Sequence, residues 1–469
     1  MNRRPLALRR ARAWLAGAAL ALFVACAARP AGAVPVTLPV ATHVTLKSGL
    51  RVIVLPTHRV PLVDFRLVAA AGSVNDPAGR EGVASLTADL MTQGAGPRNA
   101  RQLAEDIAFV GGTLDAEVGP EQLVVTCQVL PKDFAIGLDL FRDVIAAPTF
   151  PPEEFARKKE EALGAIASAK DDASEVAERT LLPYLFGANS FGHPVSGWEK
   201  SVSALSRDDV VAFHRRFVSP DNAILAVVGD VEPREVVAAL EKAFADWKPS
   251  GEKRPSAATM PEKASGLHVR IVDKPDVTQT QIRMATLGVG RSHPDYFPIQ
   301  VANTILGAGF TSRLVNEIRV QQGLSYSIAS EFAMYRNAGT FEVTTFTKNE
   351  TLRKTIDETL RVMRTLIAEG PTDEEVAKAR RYLTGLYPLG LQAPEDVAAA
   401  LVNVEFYDLP PDFIAQYDAR VNAVTPDDVR RALRSYFDVD NLKILVVSNP
   451  ATAKTALDGL APVEVTEIP

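Results

Sequence analysis

With two cysteines in 469 residues, this chain has almost no thiol chemistry to draw on. Cys26 sits in an N-terminal apolar run and Cys127 in a strand-like run from Gln122 to Leu130, so a chain trimmed at its N-terminus can form no internal disulfide. Histidine is nearly as scarce. The six, His43, His58, His193, His214, His268 and His293, include no pair spaced i, i+3 or i+4, so no single helix presents two imidazoles to a metal ion. Gly288-Val289-Gly290 lacks the third glycine of a dinucleotide-binding loop and reads as a loop after a strand. Beyond the N-terminus no apolar run approaches the roughly 18–20 residues of a membrane span.

The N-terminus reads as an export signal over residues 1–33. Arg3, Arg4, Arg9, Arg10 and Arg12 precede an uncharged apolar run from Ala13 to Ala28, and Ala31-Gly32-Ala33 offers small residues for cleavage. The run is too short for an anchor, which points to an exported, periplasmic protein. An alternative takes Phe23-Val24-Ala25-Cys26 as an imperfect lipobox, leaving Cys26 as a lipidated first residue. Removing residues 1–33 lowers Lys+Arg from 51 to 45 against 57 Asp+Glu, so the net charge moves from −6 to about −12. Such a surface argues against nucleic acid and anionic membranes as partners and is compatible with basic peptides.

The remaining chain exceeds what one hydrophobic core usually serves. Residues 248–265 read as a linker, with Pro249, Pro255 and Pro261, mixed charge and Met260 as the only large aliphatic side chain. The segments on either side, 34–247 and 266–469, repeat one another. Ser206, Asp208, Asp209 and Val210 lie 219 residues before Thr425, Asp427, Asp428 and Val429, and each group leads to an Asn (Asn222, Asn441) that opens an apolar strand. Gly49-Leu50 with Val52 and Val54 matches Gly266-Leu267 with Val269 and Ile271 at an offset of 217.

Strands and helices are legible within each half. Val63, Phe65 and Leu67 alternate with Asp64 and Arg66 as a half-buried strand would, and Phe341, Val343 and Thr345 follow the Asn337-Ala338-Gly339 turn in the same way. Phe134, Leu138, Phe141 and Ile145 recur at helical spacing, as do Leu352, Ile356, Leu360, Met363 and Ile367. The second of these helices stops at Gly370-Pro371, and Thr372 with Glu375 forms a capping box for the next. Hairpin-like strands among long amphipathic helices predict an α+β fold of two homologous layered domains rich in antiparallel sheet, not a doubly wound parallel sheet.

Residues Gly82 to Gly94 keep the frame of an inverted zinc-protease helix, H-x-x-E-H, but carry Ser85, Ala88 and Asp89 where its His, Glu and His would stand. Ser85 has no G-x-S-x-G context either, so no hydrolase nucleophile replaces the metal. With the duplication, the lead-in Ala71-Gly72-Ser73-Val74-Asn75-Asp76, Phe191-Gly192-His193-Pro194, and above all Leu306-Gly307, Ser312-Arg313-Leu314, Ile318-Arg319 and Gly323-Leu324 before Tyr326, the chain resembles the insulinase, pitrilysin and mitochondrial-processing-peptidase family. The likeness covers nearly all of the chain after the signal.

That resemblance implies half of a clamshell, with the third zinc ligand a glutamate on a second helix. Aligning Phe155 to Ile166 there places Ala165 at its position. Three ligands and the base are thus absent, and Asp89 with Glu161 would make only a carboxylate site poorly suited to zinc. The resemblance implies a structural role for His193. It also implies that Arg319 and Tyr326 act across the cavity on a partner's zinc site, donating hydrogen bonds to the scissile carbonyl as it gains negative charge. The expected function is the non-zinc subunit of a heterodimeric exported metallopeptidase, inactive alone, with no cofactor of its own, zinc in a homologous partner, and peptides or unfolded segments as substrate. The alternative is a non-catalytic peptide-binding or scaffold homologue; a self-sufficient protease lacks a metal site.

Overall fold

In a computed structural model, the structure describes residues 38–251 and 260–469. The expected export signal, Cys26 and the centre of the expected linker lie outside the described residues. Residues from Leu38 onward form one compact unit. Beside a short two-stranded ladder of Gly94–Ala95 and Arg98–Asn99, its strands are β1 (Thr42–Thr45), β2 (Arg51–Pro56), β3 (Val63–Ala69), β4 (Thr113–Val118), β5 (Leu123–Val129), β6 (Ala223–Gly229), β7 (His268–Asp273), β8 (Gln279–Leu287), β9 (Ile328–Met334), β10 (Gly339–Lys348), β11 (Lys443–Ser448) and β12 (Val463–Thr466). They build two six-stranded sheets, ordered β1-β2-β6-β3-β5-β4 and β9-β10-β8-β11-β7-β12.

Read in opposite directions, the two orders superpose five strands of one sheet on five of the other. The repeated segments occupy the same places in both. β2 runs parallel to β6 with Val52 opposite Leu225, and β7 runs parallel to β11 with Val269 opposite Ile444. The other pairings around them are antiparallel, except β12 beside β7. The helices α1 (Val83–Met91), α2 (Pro152–Ala169), α3 (Ala173–Phe186), α4 (Arg207–Phe217), α5 (Leu352–Glu369), α6 (Pro394–Phe406) and α7 (Pro426–Tyr436) pack over these sheets.

The repeated Ser/Thr and Asp residues are capping boxes. Ser206 and Thr425 accept from the amides of Asp209 and Asp428, whose carboxylates accept in return from the amides of Ser206 and Thr425. Each satisfies backbone donors that the first turn of α4 or α7 would otherwise leave unpaired. The capping box at Thr372 and Glu375 forms as expected. α5 buries Leu352, Ile356, Leu360 and Met363, and ends where Gly370 takes φ 78°.

Each sheet is covered on one face by helices of its own half and on the other by a helix from the opposite half. α3, from the first half, lays Val176, Leu181, Leu185 and Phe186 against Val272, Ala285, Leu287, Leu445 and Val447 of the second sheet. α6, from the second half, packs on β6 and β3 with Val397, Ala398, Val402 and Phe406 buried.

This exchange corrects the reading of β3 as half-buried: every residue except Arg66 is buried, Asp64 included. Asp64 lies opposite Gln128 on β5, whose amide donates to Glu395 of α6 at 2.7 Å. One Asp64 carboxylate oxygen has no hydrogen-bond partner. Burial, helped by Glu395 and Asp396 and opposed by Arg66 and the Gln128 amide, pushes the Asp64 carboxyl up to about 7 from its ordinary 3.8. On β8 the buried charge is Arg283, held by Ser174 at 3.1 Å and Glu342 at 3.3 Å.

Between about pH 4 and 7 the folded chain keeps a proton on Asp64 that the unfolded chain has released, so stability falls as pH rises through this window. Asp64→Asn, neutral and nearly isosteric, is expected to flatten that dependence and to raise stability at pH 8 by on the order of 2–4 kcal/mol. Urea denaturation of both proteins at intervals from pH 4 to 8 measures it. Parallel profiles would show that Asp64 carries no such proton.

Candidate functional site

Helix α1 is anchored at its start. Both carboxylate oxygens of Asp76 accept from its first turn, from the amides of Gly82 at 2.6 Å and Ala84 at 3.0 Å. Arg179 of α3 donates to the Ser196 hydroxyl and the Gly197 carbonyl at 2.6 and 2.7 Å, fixing the loop that packs against the helix start. Gly197 approaches so closely that an added Cβ would lie 2.0 Å from the Glu81 carbonyl oxygen. Ser201 donates to that same oxygen at 2.7 Å. His193 is buried and contacts the Pro194 carbonyl at 3.0 Å through Nδ1.

The face of α1 turned away from the core carries Ser85, half-buried, and Asp89, exposed, while Ala88 is buried. Across from it, α2 presents exposed Glu161 and Ala165. Glu161 is engaged by Arg157 and by Lys158, the latter at 3.1 Å. Arg157 reaches back to Gln93 just beyond α1 at 2.7 Å. Partial desolvation raises the Asp89 carboxyl, Lys158 opposes the rise and Glu161 adds to it. The positions aligned with the zinc site are therefore bordered by an ammonium and a guanidinium, and offer one hydroxyl, two methyls and the Asp89 carboxylate. These residues do not fit zinc, which takes thiolate, imidazole or carboxylate in a near-tetrahedral set. Among the described residues no three His, Cys, Asp or Glu are grouped to hold a metal ion.

Arg319 and Tyr326 lie in the second half. Arg319 belongs to a π-helical turn, Val315–Gln321, that follows a second, Thr304–Ala308. Such turns are uncommon and often mark functional sites. The first is locked to β9: Asn303 donates to the Ser330 carbonyl at 3.0 Å and accepts from the Ser330 hydroxyl at 2.6 Å. Gly307 permits this approach, since a Cβ there would stand 2.4 Å from the Ser330 hydroxyl. Tyr326 lies in a bend two residues before β9 and is 75 % exposed. The Arg319 guanidinium sits over the Tyr326 ring at 4.5 Å and over the Phe310 ring at 5.2 Å. Neighbouring Arg313 and Arg361 are paired with Glu375 and Glu317, whereas Arg319 has no carboxylate partner among the described residues. Sequence reasoning missed Phe310 and Lys158; an aromatic beside Gly309 and a lysine one turn before Ala162 gave no signal by themselves.

Residues 51–197 match the insulinase family, peptidase family M16, and residues 204–383 match the peptidase M16 inactive domain. This chain belongs to peptidase family M16. It is 27 % identical over 398 residues to an uncharacterised zinc protease of Streptomyces coelicolor, covering 83 % of this chain and 86 % of that one. A peptidase M16 inactive domain from Pseudomonas fluorescens shares its fold with TM-score 0.81 and 26 % identity, over 87 % of this chain and 98 % of that one. A chain of complex III2 from Candida albicans has the fold at TM-score 0.75 and 17 % identity, over 88 % and 97 % of the two chains. As an M16 member without the zinc motif, the chain keeps the helix frame and replaces its ligands. Among the described residues no helix is long and apolar enough to cross a membrane.

Restoring the ligand set by Ser85→His, Ala88→Glu, Asp89→His and Ala165→Glu is expected to create measurable zinc affinity where the parent chain has none. Adding Lys158→Gln should tighten it further, because an ammonium beside the site repels the ion. Elemental analysis of dialysed protein and competition with a chromogenic chelator read both steps. A quadruple variant that takes up no more zinc than the parent would show that Ala165 is misaligned.

Proposed function

We propose that this M16 chain is the zinc-less subunit of an exported two-chain metallopeptidase, supplying Arg319 and Tyr326 to a peptide held at the zinc site of a homologous partner. The observation that carries this reading is a guanidinium without a carboxylate partner, laid over an exposed tyrosine, in a chain whose own zinc positions hold Ser85, Ala88, Asp89 and Ala165. A charge kept only for solubility has no need of ring contacts, and a tyrosine kept for packing would be buried. Both groups can donate to a carbonyl oxygen that gains negative charge as water adds. The edge strands β4 and β9 offer unpaired backbone groups to an extended peptide, which would give affinity with loose sequence preference. Export rests on residues 1–33, and the duplicated halves 34–247 and 266–469 would form one side of the peptide chamber.

Paired with a homologue carrying an intact H-x-x-E-H, the chain is expected to raise peptide hydrolysis far above that of either protein alone. In that mixed dimer, Arg319→Ala and Tyr326→Phe should each lower turnover by roughly ten- to a thousandfold, with zinc content and assembly unchanged. The double variant should lose less than the product of the singles if both groups serve one oxygen. Full activity from the zinc homologue alone, or wild-type turnover from both single variants in an assembled dimer, would favour a scaffold role instead.

A further inference from the structure

We infer that Phe310 is a positioning residue that holds the Arg319 side chain in place. The inference rests on the reading of Arg319 as a substrate-facing donor, and it adds a residue and a loop to that site. Phe310 is 73 % exposed, so the core does not hold its ring. Its visible partner is the Arg319 guanidinium, 5.2 Å from the ring centroid. The loop that carries it, between the two π-helical turns, is braced by its own Ser312 amide donating to the Gly309 carbonyl at 2.9 Å. Beside the loop lies a cavity of about 120 Å³ lined by Thr304, Ile305, Gly309, Thr311 and Ser312, with Glu375 and Tyr382 opposite. Buried Ser312 and the Arg313–Glu375 pair anchor the loop beyond Phe310, and the ring contact ties its exposed tip to the Arg319 guanidinium.

Phe310 has no group that could touch a reacting atom usefully. It acts through Arg319: with Tyr326 it covers the apolar faces of the guanidinium plane and leaves the N–H groups as the part able to reach a carbonyl.

The direct test reads Arg319 itself in the full chain. Side-chain Nε–Hε NMR of arginine-labelled protein, with the Arg319 signal assigned from Arg319→Lys, is recorded for Phe310→Ala, Phe310→Leu, Phe310→Tyr and the parent. The parent signal should show a ring-current shift and reduced mobility. Both should be lost in the alanine and leucine variants and kept in the tyrosine variant, while the melting temperature of all three stays near that of the parent. Leucine separates the ring's electrostatic face from mere bulk. An Arg319 signal unchanged in Phe310→Ala overturns the inference. In the mixed dimer, Phe310→Ala should lower kcat about two- to fivefold with KM little changed, and Phe310→Tyr should restore it. If Arg319 loosens in Phe310→Ala but neither Arg319→Ala nor Phe310→Ala alters turnover, positioning stands and the proposed catalytic use of Arg319 falls.

Discussion

The constraint on which the rest of the structure depends is the exchange of one helix between the two halves. A six-stranded sheet has two faces to cover, and the helices local to each half cover only one. α3 and α6 close the remaining faces crosswise, each burying an aliphatic and aromatic stripe on the other half's sheet. Neither half could keep its second sheet face out of water alone, since fully burying one large aliphatic side chain is worth roughly 1.5–3 kcal/mol and several lie under each helix. The duplication is therefore one folded body. Sites on the two halves are held rigidly with respect to their own sheets and, through α3 and α6, to each other's.

That rigidity explains how a zinc helix can lose its chemistry and keep its shape. The contacts that set α1 in place are made by Asp76, Arg179, Ser201 and Gly197, none of which would touch a metal. The side chains that would touch it face outward, where replacement by Ser85, Asp89 and Ala165 leaves the core untouched. Lys158 then adds a positive charge beside a carboxylate, an arrangement that favours the metal-free state by direct repulsion. Frame and chemistry are separable here because the contacts that anchor α1 are made to backbone groups at its start, whereas Ser85, Asp89 and Ala165 point away from the core; of the four positions only Ala88 is buried.

What could be read from sequence follows the same division. Periodicity and caps act locally, so the strands around Val63 and Phe341, the α5 stop at Gly370 and the Thr372–Glu375 box were legible in the sequence, whereas Ser206 and Thr425 were legible only as a repeat. The family and the two-sheet plan were legible too, and spacing along one helix places residues 85 and 89 on one face. Contacts made across the molecule were not. Alternation at Asp64 reads as a solvated position because the pattern says nothing of a helix arriving from 330 residues later. The backbone around Tyr326 was not legible either: a left-handed Gly323 turns the chain, and the strand begins only at Ile328. The π-helical turns leave no trace in a 3.6-residue period, and Phe310 looked like any loop aromatic.

Magnitudes decide why Arg319 needs both rings. Ordering an arginine side chain costs about 2 kcal/mol of rotamer freedom, whereas one exposed cation–π contact returns about 0.5–1 kcal/mol. Tyr326 alone would leave the guanidinium sampling many positions. Tyr326 and Phe310 together offset much of the ordering and do so without a carboxylate, which would have neutralised the charge and occupied the N–H groups. The arrangement leaves Phe310, Val320 and Tyr326 in water, at 73, 68 and 75 % exposure. A soluble surface gains nothing from three such side chains around one unpaired cation. They make physical sense as a face that the proposed partner would cover, with the guanidinium already ordered and its donors still unspent.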